Sequence, residues 1–262
     1  MPSRPFSPRY ALPLDEMQAL TKELLRERAS TVPDQHRFVG IEVDGQSQFS
    51  NIGRHIERVV FEASFGNDAD QMTAEYGPYE RASTFFLSID RRATMPSGAL
   101  RAIRHSDHGF KTLNDAEQPP FSIREGAAVR HHAITNLATI WDVGTVAVLP
   151  QYRRGEGPVS VQLYRALYLS ARGNGIEHMV SIIDDGPLDK LRGYLGIPFV
   201  ALAGSSSGPY LGSEKSHAVY GSVPTFYRKM RRHRWTVRGL LARKALQRLV
   251  NGTEDDSLRL LA

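Results

Sequence analysis

The stretch from Thr139 to Arg172 constrains the fold of this chain more than any other. It opens with TIWDVGTVAVL, a β-prone run ended by Pro150, and its central Gly144 marks a bulge or a close backbone approach. It closes with VSVQLYRALYLSAR, whose apolar residues recur at helical spacing between Pro158 as a start signal and Gly173 as a stop. Between the two lies the basic, glycine-containing YRRGEG. Downstream, Ile176 to Ile183 reads as a buried strand and Pro187 to Leu195 as a short helix. Gly196 then leads into a β-rich stretch containing Phe199, Val200 and Tyr220. Strand, loop, helix, strand, helix, strand is the order of a layered α/β or α+β sheet, not of a helical bundle.

The upstream half supplies further layers. Leu14, Met17, Leu20, Leu24 and Leu25 predict a helix over Leu14 to Arg28, and Phe38 to Val43 alternates like a short strand. Ile56, Val59, Val60 and Ala63 put one apolar face on a helix over Ile52 to Phe65. TFFLSID (Thr84 to Asp90) and GALRAIR (Gly98 to Arg104) predict a hairpin turning at Met95-Pro96-Ser97, followed by a loop rich in Pro, Asp and Glu. With 262 residues, 41% of them hydrophobic, one catalytic domain is expected over 37–227. A helical extension is expected over 1–36, and a basic helix and tail over 228–262.

Composition removes several chemistries. The chain has no cysteine, which excludes disulfides, thiolate metal sites and a cysteine nucleophile, and which fits a reducing compartment. No apolar run approaches the ~20 residues that span a bilayer, so a cytoplasmic protein is expected. His131 and His132 are adjacent and would point apart on a strand; with no carboxylate at ligand spacing, no metal is expected. The aromatic residues Trp141, Tyr164, Tyr168 and Tyr194 read first as core. GSSSG (Gly204 to Gly208) reads as a flexible connecting loop, which would also suit a cover for an acceptor.

The net charge of +5 is concentrated. Nine of the Lys and Arg residues lie between Arg228 and Arg248, with no acidic residue among them, so the rest of the chain is slightly acidic. From Val237 onward Leu240, Leu241, Ala245, Leu246, Leu249 and Val250 recur at helical spacing. Such a helix, if not simply a solvated tail, is suited to an acidic partner.

A loop entering a helix exposes backbone N–H groups at the positive end of the helix dipole, which suits a phosphate. Arg153, Arg154, Gly155 and Gly157 are therefore the candidate phosphate cradle. The backbone groups of Val146, Ala147 and Val148 are candidates for hydrogen-bonding the extended arm of a phosphate-bearing ligand and polarising a carbonyl on it.

VAVLPQYRRGEG, the helix after it, a strand ending in Asp184 and Asp185, and a short helix ending in LGI together resemble the core of the GNAT acyltransferase superfamily over roughly half the chain. Arg58-Val59-Val60-Phe61, Gly98-Ala99-Leu100-Arg101 and Trp141-Asp142 are similar to pieces of the acyl-homoserine-lactone synthases and N-acyl amino acid synthases within it. The resemblance implies a GNAT-like mixed, mostly antiparallel central sheet flanked by helices. It also implies an N-acyltransferase taking an acyl group from coenzyme A or an acyl carrier protein to a small-molecule amine such as an amino acid. An acetyl-CoA-dependent N-acetyltransferase and an inactive GNAT-fold binding module are the other readings.

Three departures from that pattern bear on chemistry. Glu156 and Pro158 stand where the family loop has glycines, and the acidic side chain disfavours a diphosphate relative to the phosphodiester of a carrier protein. For that reason the basic tail is assigned to an acyl carrier protein in preference to nucleic acid. Arg192 stands where many relatives carry a tyrosine acid, and Asp185 where many carry asparagine. Asp142 heads the central strand where the autoinducer synthases carry a functional glutamate, which makes it the first candidate for the base or for binding the amine. It is followed by Val143, Gly144 and Thr145 in place of Ser-Arg, which argues against S-adenosylmethionine. Asp142 can equally be a strand-end residue capping a turn or pairing with Arg101. Glu62 and Arg101 are second candidates for the acceptor pocket.

Overall fold

A computed structural model of the chain describes residues 6–28, 37–153, 159–193, 196–232 and 260–261. The chain divides into two compact units: Met1–Ala102, Thr145–Leu167 and Glu254–Ala262 form the first, and Ile103–Gly144 with Tyr168–Thr253 the second. The basic segment beyond residue 232, with its amphipathic repeat, lies outside the described residues apart from 260–261.

In the first unit, α1 (Leu14–Arg28) buries Met17, Thr21 and Leu24. Asp15 and Glu16 in its first turn and Arg26 and Arg28 in its last complement the helix dipole. β1 (Phe38–Asp44) pairs antiparallel with β2 (Ser83–Asp90) from Phe38↔Asp90 to Asp44↔Thr84. Between them in sequence come α2 (Ser50–Phe65), closed by Gly66 in the left-handed conformation, and α3 (Ala69–Tyr76). Every residue of β2 is buried. Val39, Ile41 and Val43 of β1, Ile52, Ile56 and Val60 of α2, and Phe85, Leu87 and Ile89 of β2 form the core of this unit. β3 (Met95–Ile103) follows, and Met95-Pro96-Ser97 lies within it instead of forming the hairpin turn. The turn comes earlier, at Arg91 to Thr94, where Thr94 takes a φ of 51°. Proline is tolerated there because it sits near the start of the strand.

β4 (Ile140–Val148) begins in the second unit and ends in the first, and α6 (Val159–Gly173) begins in the first and ends in the second. Within the first unit the hydrogen-bonded order is β4-β3-β2-β1. The glycine of GALR has a steric reason. A Cβ on Gly98 would lie 2.8 Å from Val159 Cγ1 and 2.9 Å from the carbonyl oxygen of Ala147. Gly98→Ala is therefore expected to destabilise the protein by roughly 1–3 kcal/mol through overpacking. Urea unfolding measures this, and an unshifted midpoint would mean that β3 and the start of α6 can move apart without loss.

The second unit is built on β5 (His178–Asp184) and β8 (Ser213–Ser222), antiparallel from His178↔Ser222 to Asp184↔Ser216. β6 (Val200–Ala201) and β7 (Ser207–Tyr210) also pair antiparallel with β8, so β4 with β5 is the parallel pair of this unit. The GSSSG segment is thus partly strand, since Ser207 and Gly208 belong to β7. The region expected to be a loop carries two short helices, α4 (Lys111–Ala116) and α5 (Glu125–His131). α7 (Asp185–Gly193) and α8 (Val223–Arg232) complete the unit. Its core gathers Phe110, Leu113, Ile140, Val180, Leu202 and Ala218. The fold is the layered sheet that the element order implied, and it is mixed, mostly antiparallel and flanked by helices, as the resemblance implied.

Candidate functional site

The β4–β5 ladder holds for three pairs, Ile140↔His178, Trp141↔Met179 and Asp142↔Val180, and then stops, although β4 continues to Val148 and β5 to Asp184. At the point of separation a side chain replaces the backbone: Ser181 Oγ donates to the Val143 carbonyl at 2.7 Å. Past it, β4 runs through Thr145, Val146 and Ala147, with Val146 and Val148 half-buried and Ala147 buried. A helical turn at Pro150–Tyr152 then places Arg153, which is exposed and donates its Nε to the Val148 carbonyl at 3.0 Å. Arg153 is thereby held at the carboxy end of β4. Arg154, Gly155 and Gly157, together with Glu156 and Pro158, lie outside the described residues, as does Tyr194.

Asp142 is fully buried. Its Oδ2 accepts the Thr112 backbone N–H at 2.6 Å and its Oδ1 accepts the Thr112 hydroxyl at 2.7 Å. The carboxylate therefore fixes the first turn of α4 to the strand, which is the capping arrangement the sequence left open. Burial pushes this carboxyl up to about 6, against the opposing effect of the two Thr112 bonds and of Lys111.

Arg101 is also fully buried, and it does not pair with Asp142. Its Nε and Nη2 hold Glu57 at 3.1 and 2.6 Å, its Nη1 reaches Glu80 at 3.3 Å, and Nη2 also donates to the Tyr10 hydroxyl at 2.9 Å. Tyr10 in turn donates to Glu80 at 2.7 Å, Arg54 Nε donates to Glu80 at 2.9 Å, and the Thr145 hydroxyl donates to Glu57. Two arginines and two glutamates thus close on one another. Burial alone would push Glu80 up, but Arg101 and Arg54 outweigh it and hold the carboxyl below the usual range. Glu62, the glutamate singled out from the sequence, sits five residues on from Glu57 and pairs with Arg58 on the surface of α2. Arg101 and Glu62 therefore do not share a site, and Glu57 is the partner that sequence reasoning missed.

Arg192 is exposed, with its Nε donating to the Phe199 carbonyl at 3.2 Å. His132 is half-buried, stacks on Tyr220 at 3.8 Å between ring centroids, and accepts the Ala203 N–H on its Nε2. Among the described residues no group of three His, Asp or Glu side chains is placed to hold a metal ion, and no helix is long and apolar enough to cross a membrane.

A mixed, mostly antiparallel sheet flanked by helices is a GNAT-like fold. No protein-family model matches the chain, and neither does any curated protein. Among solved structures it is similar to FeeM, an N-acyl amino acid synthase from uncultured soil microbes, at 16% identity and a TM-score of 0.52, over 73% of this chain and 94% of that one. It is also similar to a coenzyme A-dependent acyl-homoserine lactone synthase, BjaI, solved with SAM and isopentyl-CoA. There the identity is 14% and the TM-score 0.47, over 84% of this chain and 96% of that one. The likeness to FeeM shows that the two chains share a fold.

Proposed function

We propose that this protein is an N-acyltransferase that moves an acyl group from a thioester, on coenzyme A or an acyl carrier protein, to the amine of a small molecule such as an amino acid. The observation that carries the proposal is the early end of the β4–β5 ladder in a chain with the fold of an N-acyl amino acid synthase. A strand that keeps its extended form without a partner ladder presents backbone groups at fixed spacing, which suits the amides of a pantetheine arm and an oxyanion. In this reading Val146, Ala147 and Val148 hold the arm. Arg153, with Arg154, Gly155 and Gly157 after it, receives the phosphate at the start of α6. Asp142 serves by fixing α4 on the strand.

The test is calorimetric titration with acetyl-CoA, decanoyl-CoA and a decanoylated carrier protein, followed by mass spectrometry of the amide product. Binding of a long-chain donor with acylated amino acid as product supports the proposal, and binding of none of the three would sink it. Replacing Arg153 and Arg154 together with alanine is expected to weaken the donor at least tenfold, since charge-assisted contacts contribute roughly 1.5–3 kcal/mol each. Unchanged affinity would remove both from the site.

A further inference from the structure

We infer that Thr145 is a positioning residue for acyl transfer: its hydroxyl, anchored on Glu57, sets how β4 is turned just before Val146, Ala147 and Val148. The inference rests on the acyl-transfer reading above and adds a residue to the strand that would hold the donor.

β4 loses its ladder with β5 after Asp142. Beyond that point β3 is the neighbour that the sheet order gives it in the first unit. A strand laddered along one edge only can still vary its twist, so a contact from its face bears on how its peptide groups are presented. Thr145 makes such a contact. It is 3% exposed, and its hydroxyl donates to Glu57 Oε1 on α2. Side chains alternate along a strand, so with Thr145 turned to α2, Ala147 is buried on the same side and the half-buried Val146 and Val148 face the other way.

The anchor is itself fixed. Glu57 is fully buried, and Arg101 of β3 holds both of its oxygens, Nε to Oε1 at 3.1 Å and Nη2 to Oε2 at 2.6 Å. Arg101 is tied in turn to Glu80 and Tyr10. Because Arg101 already compensates the charge of Glu57, the Thr145 hydroxyl is not needed to neutralise it. Packing does not call for the hydroxyl either, since valine has the same branched shape and is at home in a buried strand. What the hydroxyl adds is direction, because a hydrogen bond of defined geometry ties the side chain and the strand that carries it to α2. A reacting group displaced by about 1 Å can lose about a hundredfold in rate, so a small turn of this strand is costly.

The test compares Thr145→Val, which loses the hydroxyl, with Thr145→Ser, which keeps it, and with Ile56→Val, which trims the apolar core of the same unit. Transfer from decanoyl-CoA to a mixture of the common amino acids is followed as thiol release, alongside thermal melting. Thr145→Val is expected to lower kcat about tenfold or more with KM unchanged. Thr145→Ser should restore most of the rate, and Ile56→Val should keep it although it melts earlier. The deficit should persist with S-decanoyl-N-acetylcysteamine, a thioester that carries the end of the arm and no phosphate. If Thr145→Val melts too early to assay, Thr145→Ala against Thr145→Ser reads the same hydroxyl. Thr145→Val transferring at the wild-type rate overturns the inference and leaves the acyl-transfer reading standing. So does Thr145→Ser as slow as Thr145→Val, a deficit shared by Ile56→Val, or one confined to decanoyl-CoA. Wild type that forms no acylated amino acid overturns both.

Discussion

Glu57→Gln is expected to cost the protein about 3–5 kcal/mol of stability, the range for removing one partner of a buried ion pair. Arg54, Arg101, Glu57 and Glu80 are all buried and balance as two positive and two negative charges. Glutamine keeps an oxygen for Arg101 or for Thr145 but leaves one positive charge uncompensated where water cannot reach it. Adding Arg101→Met to Glu57→Gln restores the balance with one arginine and one glutamate. The double variant should therefore recover part of the loss, and a double-mutant cycle by urea unfolding would measure the coupling. A single variant within 1 kcal/mol of wild type would mean that solvent or local rearrangement already screens the cluster.

The second large effect is a pH dependence located at Asp142. Its carboxyl is raised from 3.8 to about 6 by burial. A raised acid contributes most below its unfolded value, and that contribution is lost as the pH climbs through the folded one. Between about pH 4 and pH 7 the wild type should thus lose roughly 2 kcal/mol relative to Asp142→Asn, whose side chain does not ionise and can still accept the Thr112 N–H. Unfolding both proteins at the two pH values isolates the effect, and a constant difference would show that burial does not raise this carboxyl. Glu80 acts with the opposite sign. Held below the usual range, it stabilises at neutral pH and gives up that stability in acid.

What the sequence revealed and what it hid divide along physical lines. α1, β4 and α6 were legible almost to the residue because each is long enough for its period to show. α4 and α5 were not, since six or seven residues give fewer than two turns, and their surroundings are rich in Pro, Asp and Glu. The proposed donor strand and Arg153 were read from strand, turn and helix order. Glu57 stayed hidden because a charged residue on an amphipathic helix reads as solvent-facing unless its partner is known, and Arg101 lies 44 residues away.

Tyr10 also bears on the order in which the molecule assembles. Its hydroxyl is locked by Glu80 and Arg101, which lie 70 and 91 positions further along the chain. Contacts of such span close late because the intervening chain must first be ordered. Tyr10 is therefore among the last residues to be secured, and until it docks, Glu80 and Arg101 lack the hydroxyl that joins them.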